Sequence, residues 1–148
     1  MFRRCFVLFC CISAFAFSLG AQAPNTDSKQ AQKSVPPCIQ AGMDAYKAKG
    51  PEEAVRAWIK DSPIDGSKDA LTQANFLRQI QDYYGAYQGY EIVSSRNLSS
   101  KAQIIYLVVN YEKGPLFGKF VTYKSDAGWI LTSFIFNTKE EVIFPPSL

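Results

Sequence analysis

Between Gln103 and Asn137 the chain strings together β-prone runs joined by turns too short for anything but hairpins. QIIYLVVNY (103–111) leads through EKGP at Glu112–Pro115 into Phe117–Lys124, and SDAG at Ser125–Gly128 leads on to Trp129–Asn137. Parallel neighbours need a crossover of about a dozen residues or more, so these runs must pair as antiparallel hairpins. Gly128 suits the left-handed position of such a loop. Gln103–Tyr111 is apolar on both of its faces, as a central strand covered on each side should be. Tyr90–Arg96 precedes it as a further strand, which makes a four-stranded meander. The tail, FPPSL, cannot continue a strand past its prolines and is expected to pack along an edge.

Helical patterns come before the strands. The first runs from Pro36-Pro37 to Gly50, with Ile39, Met43 and Tyr46 on one face and Lys47 and Lys49 at the negative end of the helix dipole. The second opens on GPEE, with Pro51 in its first turn beside Glu52 and Glu53, and Ser62-Pro63 ends it. Its stripe is Ala54, Val55 and Trp58, with Ile59 at the margin. The third starts near Ser67 as N-cap, with Asp69 in the first turn, and runs to about Tyr84 or Tyr87, where the glycines of YGAYQGY break it. The fold class is therefore α+β: three N-terminal helices, then a four-stranded antiparallel meander.

Residues 1–23, MFRRCFVLFCCISAFAFSLGAQA, have the form of a secretory signal. Arg3 and Arg4 lead, Cys5–Leu19 is uncharged and apolar, and small residues follow. The run falls short of the about 20 residues that span a membrane. Ala21-Gln22-Ala23 fits cleavage before Pro24, with Gly20 and Ala21 as alternative sites. The expectation is an exported protein, periplasmic or secreted, with a signal at 1–23, a polar flexible leader at 24–36 and one domain at 37–148. Losing Arg3 and Arg4 brings the 16 basic residues almost level with the 13 acidic ones, a net charge of about +1. No long basic run remains, so nucleic-acid binding has no support, and no membrane contact is expected after cleavage. Cys5, Cys10 and Cys11 leave with the signal, so Cys38 is alone and no internal disulfide can form. The chain has no histidine, which removes a Ser-His-Asp triad, a Cys-His pair and the common zinc sites. No catalytic residue, metal site or cofactor follows from the sequence.

The element order, the paired strands NYEKGPLFGKFVTYK and GWILTSFIFNT, and the tryptophan directly after the last hairpin resemble the NTF2-like superfamily, which overlaps with the cystatin-like fold. The resemblance covers roughly Cys38 to Pro145. It implies a curved sheet wrapping the long third helix into a cone. DSPIDG is too short to hold the hairpin that usually precedes that helix, which implies a shallower cone. The superfamily holds isomerases, dehydratases, transport factors and immunity proteins, so it informs fold more than function. The Q-x-V-x-G hairpin of cystatin-type protease inhibitors is missing, so the shared fold name does not imply inhibition.

Candidate site residues centre on FLRQIQDYYGAYQGYEI (76–92). Phe76, Ile80, Tyr83, Tyr84 and Tyr87 share one helical face, widened by Leu77. Two readings stand: a plain core stripe, and a stripe whose Tyr84 and Tyr87 end opens on a pocket. Buried tyrosines need hydrogen-bond partners, and several hydroxyls in an apolar concavity also suit a ligand. The expected ligand-binding residues are Trp58, Tyr84, Tyr87, Tyr106 and Phe134. Isomerases of the resembled superfamily pair an acidic base with a tyrosine donor. Here Asp82 points about 100° from Tyr83 on the helix, and Asp44, Asp61, Glu91 and Glu112 lie on polar flanks or strand ends. Arg96 and Lys119 read as solvent-facing strand charges, with an acidic ligand at the cone mouth as the alternative for Arg96. Asn97-Leu98-Ser99 matches the glycosylation sequon. Trp129, Phe134, Phe136, Tyr106, Tyr111 and Phe117 suggest an aromatic convex sheet face, a surface for a homodimer. The leading expectation is non-catalytic binding of a small apolar ligand or an envelope protein. The alternatives are an enzyme using tyrosine and a carboxylate, and a structural dimer of the cell envelope.

Overall fold

Proline opens each of the first two helices, where its missing N–H costs nothing and its fixed φ suits the turn. In the computed structural model, which describes residues 35–146, these are α1 (Pro37–Lys49) and α2 (Pro51–Ile59). The expected signal and most of the expected leader lie outside the described residues. Gly50 joins the two helices at φ +91°, a value that favours glycine. Helix α3 (Lys68–Tyr84) is capped by Ser67, whose Oγ accepts from the Ala70 N–H at 3.2 Å. It stops at Gly85, φ +85°, rather than running on to Tyr87.

The strands are β1 (Tyr87–Asn97), β2 (Ala102–Tyr111), β3 (Gly114–Ser125) and β4 (Gly128–Asn137). They form one antiparallel sheet in the order β1-β2-β3-β4, the meander that the short turns require. Irregularities in the pairing of β1 with β2 and of β4 with β3 mark bulges in both outer strands, which bend and twist an edge.

All three helices lie on one side of the sheet. Their buried residues are Ile39, Met43 and Tyr46 from α1, Ala54, Val55, Trp58 and Ile59 from α2, and Ala70, Leu77 and Ile80 from α3. Against them stand Ile105, Leu107, Val109 and Tyr111 of β2, Leu116 and Phe120 of β3, and Leu131, Phe134 and Phe136 of β4. The long helix thus shares the inner face with α1 and α2. Trp58 sits at the centre, 1% exposed, with its ring 5.1 Å from Phe120 and 5.7 Å from Phe136. Its Nε1 donates to the Ile39 carbonyl at 3.1 Å. Gly42 leaves the space it fills: a Cβ there would come within 1.9 Å of Trp58 Nε1.

Three expectations need correction. Leu77, not the Phe76–Tyr83 line, is the centre of the α3 stripe: Leu77 has no exposed surface, while Tyr83 is 79% exposed. The aromatic residues do not share the convex face, because strand alternation sends Tyr111, Phe134 and Phe136 inward and Tyr106 and Phe117 outward. Phe144, the first residue of the tail, also does not lie along an edge. A short helix, α4 (Glu140–Ile143), turns the chain back. Phe144 then meets Tyr106 and Phe117 of the two central strands, edge to face, at 5.9 and 5.4 Å.

Candidate functional site: a tyrosine cluster and its cleft

The link from α3 to β1 is tied to the β2–β3 turn. The Lys113 N–H donates to the Tyr84 carbonyl at 2.9 Å, and the Glu112 N–H donates to the Ala86 carbonyl at 3.2 Å. Those bonds bring the end of the long helix and the start of β1 against the last residue of β2. Tyr87 pairs with Tyr111 in the sheet register. Gly114 then passes under Tyr84, whose ring would lie 3.3 Å from any Cβ placed there.

Four tyrosines meet at this end of the sheet. Tyr46 of α1 stacks on Tyr87 with ring centres 4.7 Å apart. Tyr111 stands edge-on to Tyr46, Tyr84 and Tyr87 at 6.3, 6.3 and 6.4 Å, a favourable arrangement for aromatic quadrupoles. The Tyr46 and Tyr111 hydroxyls hydrogen-bond to each other at 2.8 Å, and either can donate. That pairing satisfies two buried hydroxyl oxygens with one hydrogen. The second hydrogen has no acceptor among the described residues.

Burial is the largest influence on the acidity of Tyr46, Tyr87, Tyr90 and Tyr111. It pushes Tyr111 up to about 12, and it pushes Tyr87 up to about 12 with help from Tyr90, Tyr111 and Asp44. Tyr46 is raised by burial and by Tyr111, and Tyr90 by burial and by Asp44. All four are therefore neutral hydroxyls at neutral pH.

An open cleft of about 320 Å³ borders the cluster. Met43, Asp44 and Lys47 of α1 form one wall, and Tyr87, Gln88 and Tyr90 of β1 form the other. Tyr90 donates to Gln40 Oε1 at 2.5 Å, and Gln40 Nε2 donates to Asp44 at 3.0 Å. The cleft thus offers ring faces, an exposed carboxylate and an ammonium. Asp44 is the carboxylate whose charge bears on Tyr87 and Tyr90. No described Asp or Glu is buried, and no described cluster of three Cys, Asp or Glu residues is placed to hold a metal.

The five residues expected to bind a ligand fall in three places. Trp58 and Phe134 pack together in the core, with ring centres 6.0 Å apart. Tyr84 and Tyr87 belong to the tyrosine cluster. Tyr106 lies on the other face of the sheet beneath Phe144, so it cannot share a pocket with the other four. Sequence reasoning did not connect Tyr46 and Tyr111 with Tyr87. The signal was present, because Tyr111 has the same strand parity as Ile105, Leu107 and Val109, and Tyr46 continues the Ile39–Met43 face.

No family model matches the chain, and no curated protein matches it. Among solved structures it is similar to a domain of unknown function with a cystatin-like fold from Nostoc punctiforme PCC 73102. That likeness has a TM-score of 0.48 and 16% identity, and covers 80% of each chain. It is also similar to an NTF2-like protein of unknown function from Silicibacter pomeroyi DSS-3, with a TM-score of 0.47 and 10% identity, over 77% of this chain and 98% of that one.

Proposed function

We propose that this is a non-catalytic binding domain that takes a segment of a partner protein across the tyrosine-lined cleft. One observation carries the reading: the space between helices and sheet is filled by Trp58, Phe120, Phe134 and Phe136, while Tyr87 and Tyr90 line an open cleft at the edge of the cluster. A small apolar ligand is held best where most of its surface is enclosed. An open wall of tyrosine rings and hydroxyls instead suits a protein surface, where rigid amphipathic side chains give large contact at low entropic cost. Export, as read from residues 1–23, would put such a partner in the envelope or outside the cell. The enzyme alternative needs a carboxylate enclosed in an apolar pocket beside a tyrosine hydroxyl, whereas Asp44 is exposed and accepts from Gln40.

The test is a photo-crosslinking amino acid at Gln88, which is exposed in the cleft, and at Lys60, an exposed residue outside it, with the protein expressed in its source organism. The expected result is one protein adduct at Gln88, none at Lys60, and loss of the adduct when Tyr87→Ala is added. A small molecule that co-purifies with the wild type, is released by Tyr87→Ala and is accompanied by no adduct would overturn the reading.

A further inference from the structure

The end of the sheet opposite the tyrosines has a different chemistry. Two hairpin tips lie there side by side. In the β1–β2 tip, Leu98 and Ser99 both donate backbone N–H groups to the Ala102 carbonyl, at 2.8 and 3.2 Å. In the β3–β4 tip, Ser125 Oγ donates to the Gly128 carbonyl at 2.9 Å. A backbone bond of 2.8 Å from the Lys124 N–H to the Lys101 carbonyl ties one tip to the other. This pairing gathers cations that are far apart in sequence. Arg96, Lys101 and Lys124 are all exposed and stand at this end with one acid, Asp126. The ion pairs among the described residues, Arg56–Glu53 and Arg78–Glu52, are both on helices. The three sheet cations have no side-chain partner among the described residues. Two large apolar residues protrude among them: Leu98 is 53% exposed and Tyr123 is 41% exposed.

We infer that this end of the sheet docks on an anionic lipid surface. Leu98 and Tyr123 enter the headgroup region, and Arg96, Lys101 and Lys124 meet the lipid phosphates. Two isolated apolar side chains are too few for the packed centre of a stable protein interface, which buries about 1,600 Å² in all. A protruding leucine and tyrosine with unpaired cations on both faces of the same sheet end are what the boundary between water and lipid favours when that end meets it edge-on. Each cation near such a surface adds about a fivefold gain in partitioning. The sequence gives no hint of this, because its cations form no run. Only strand pairing brings them together. The inference is independent of the cleft at the other end.

Trp129 provides a local probe. It pairs with Lys124 at the start of β4 and is half-buried, whereas Trp58 is sealed in the core, and the chain has no other tryptophan. The full chain is expressed, and every variant is studied in the same recovered form. Each is mixed with vesicles of phosphatidylglycerol and phosphatidylcholine in equal parts, or of phosphatidylcholine alone. The expected result is a blue shift of tryptophan emission and co-sedimentation with the anionic vesicles only, both weakened by salt. Arg96→Ala with Lys101→Ala and Lys124→Ala should lower the partition about 100-fold. Leu98→Ser with Tyr123→Ser should abolish the emission shift while leaving the circular dichroism unchanged. Arg96→Lys should bind as the wild type does. No emission shift with anionic vesicles would overturn the inference. So would equal binding to both vesicle types, or light scattering that shows a dimer split by Tyr123→Ser.

Discussion

At the turn end of the sheet, four tyrosines close on one another around a hydroxyl pair. At the hairpin end, Tyr123 stands 41% exposed beside cations that no described side chain pairs. One residue type thus does two jobs on neighbouring strands, and strand parity decides which. Tyr111 follows Ile105, Leu107 and Val109 onto the inner face, under three helices. Tyr123 shares its face with Phe117 and Lys119, where, among the described residues, α4 and Phe144 give cover over the other half of the strand. On the two readings proposed above, the tyrosine end would face a protein and the hairpin end a lipid surface, with one sheet joining them.

The sharpest way to break this comparison is to truncate a tyrosine at each end. Tyr111→Ala removes a ring that touches three others and strands the Tyr46 hydroxyl in the core. The loss should be about 3–5 kcal/mol, as for other large aromatic truncations. Tyr123→Ala should cost no more than about 0.5 kcal/mol, as for an exposed surface residue. Urea unfolding of the two variants measures both. Losses of similar size would mean that the ends are not built differently.

The hydroxyl pair sharpens the same contrast. Tyr46→Phe leaves the buried Tyr111 hydroxyl without a partner and should cost about 1–3 kcal/mol. Removing both hydroxyls, with Tyr46→Phe and Tyr111→Phe together, should cost less than the sum of the single changes, because neither oxygen is then left unpaired. Strict additivity in the double-mutant cycle would show that the 2.8 Å contact does not couple them.

Alkaline pH should also loosen the tyrosine end. Tyr87 and Tyr111 have pKa values raised from 10.0 to about 12, so between those values the folded protein keeps protons that the unfolded chain has lost. The stability that these two groups contribute is therefore fully present below pH 10 and is lost as pH rises through about 12. Tyr111→Phe should flatten that fall. Unfolding curves collected across the window give the slope, and a stability that rises with pH there would contradict the burial of these rings.

Much of this fold was legible in the sequence, because two turns too short for a crossover force a meander, and glycine and proline mark where helices stop and start. The site was harder to read. The stripe Phe76–Ile80–Tyr83–Tyr84–Tyr87 has regular helical spacing, yet Gly85 ends the helix before Tyr87, and Tyr83 faces water. Periodicity says which residues share a face but not which face turns inward, and that depends on α1 and α2 covering the sheet. Strand parity and helical face turn Tyr111 and Tyr46 inward, but the contact that joins them depends on how α1 sits on the sheet, which no local pattern encodes. The cations of the hairpin end were hidden for the same reason.

The smallest expected effect concerns those cations, and its sign matters more than its size. Lys101 and Lys124 lie on tips tied together by a backbone bond, with Asp126 as the one acid of the β3–β4 tip. Like charges held close repel, so the folded state gains nothing from this cluster. Lys101→Ala should leave stability unchanged or raise it by no more than about 0.5 kcal/mol, and added salt should narrow the difference by screening. The same change should weaken partitioning onto anionic vesicles about fivefold. A substitution that helps folding while hurting binding is the mark of a residue kept for a surface role. If Lys101→Ala instead lowered the unfolding midpoint clearly, the cation would be holding the two tips together, and the hairpin end would resemble the tyrosine end more closely than the exposures of Leu98 and Tyr123 imply.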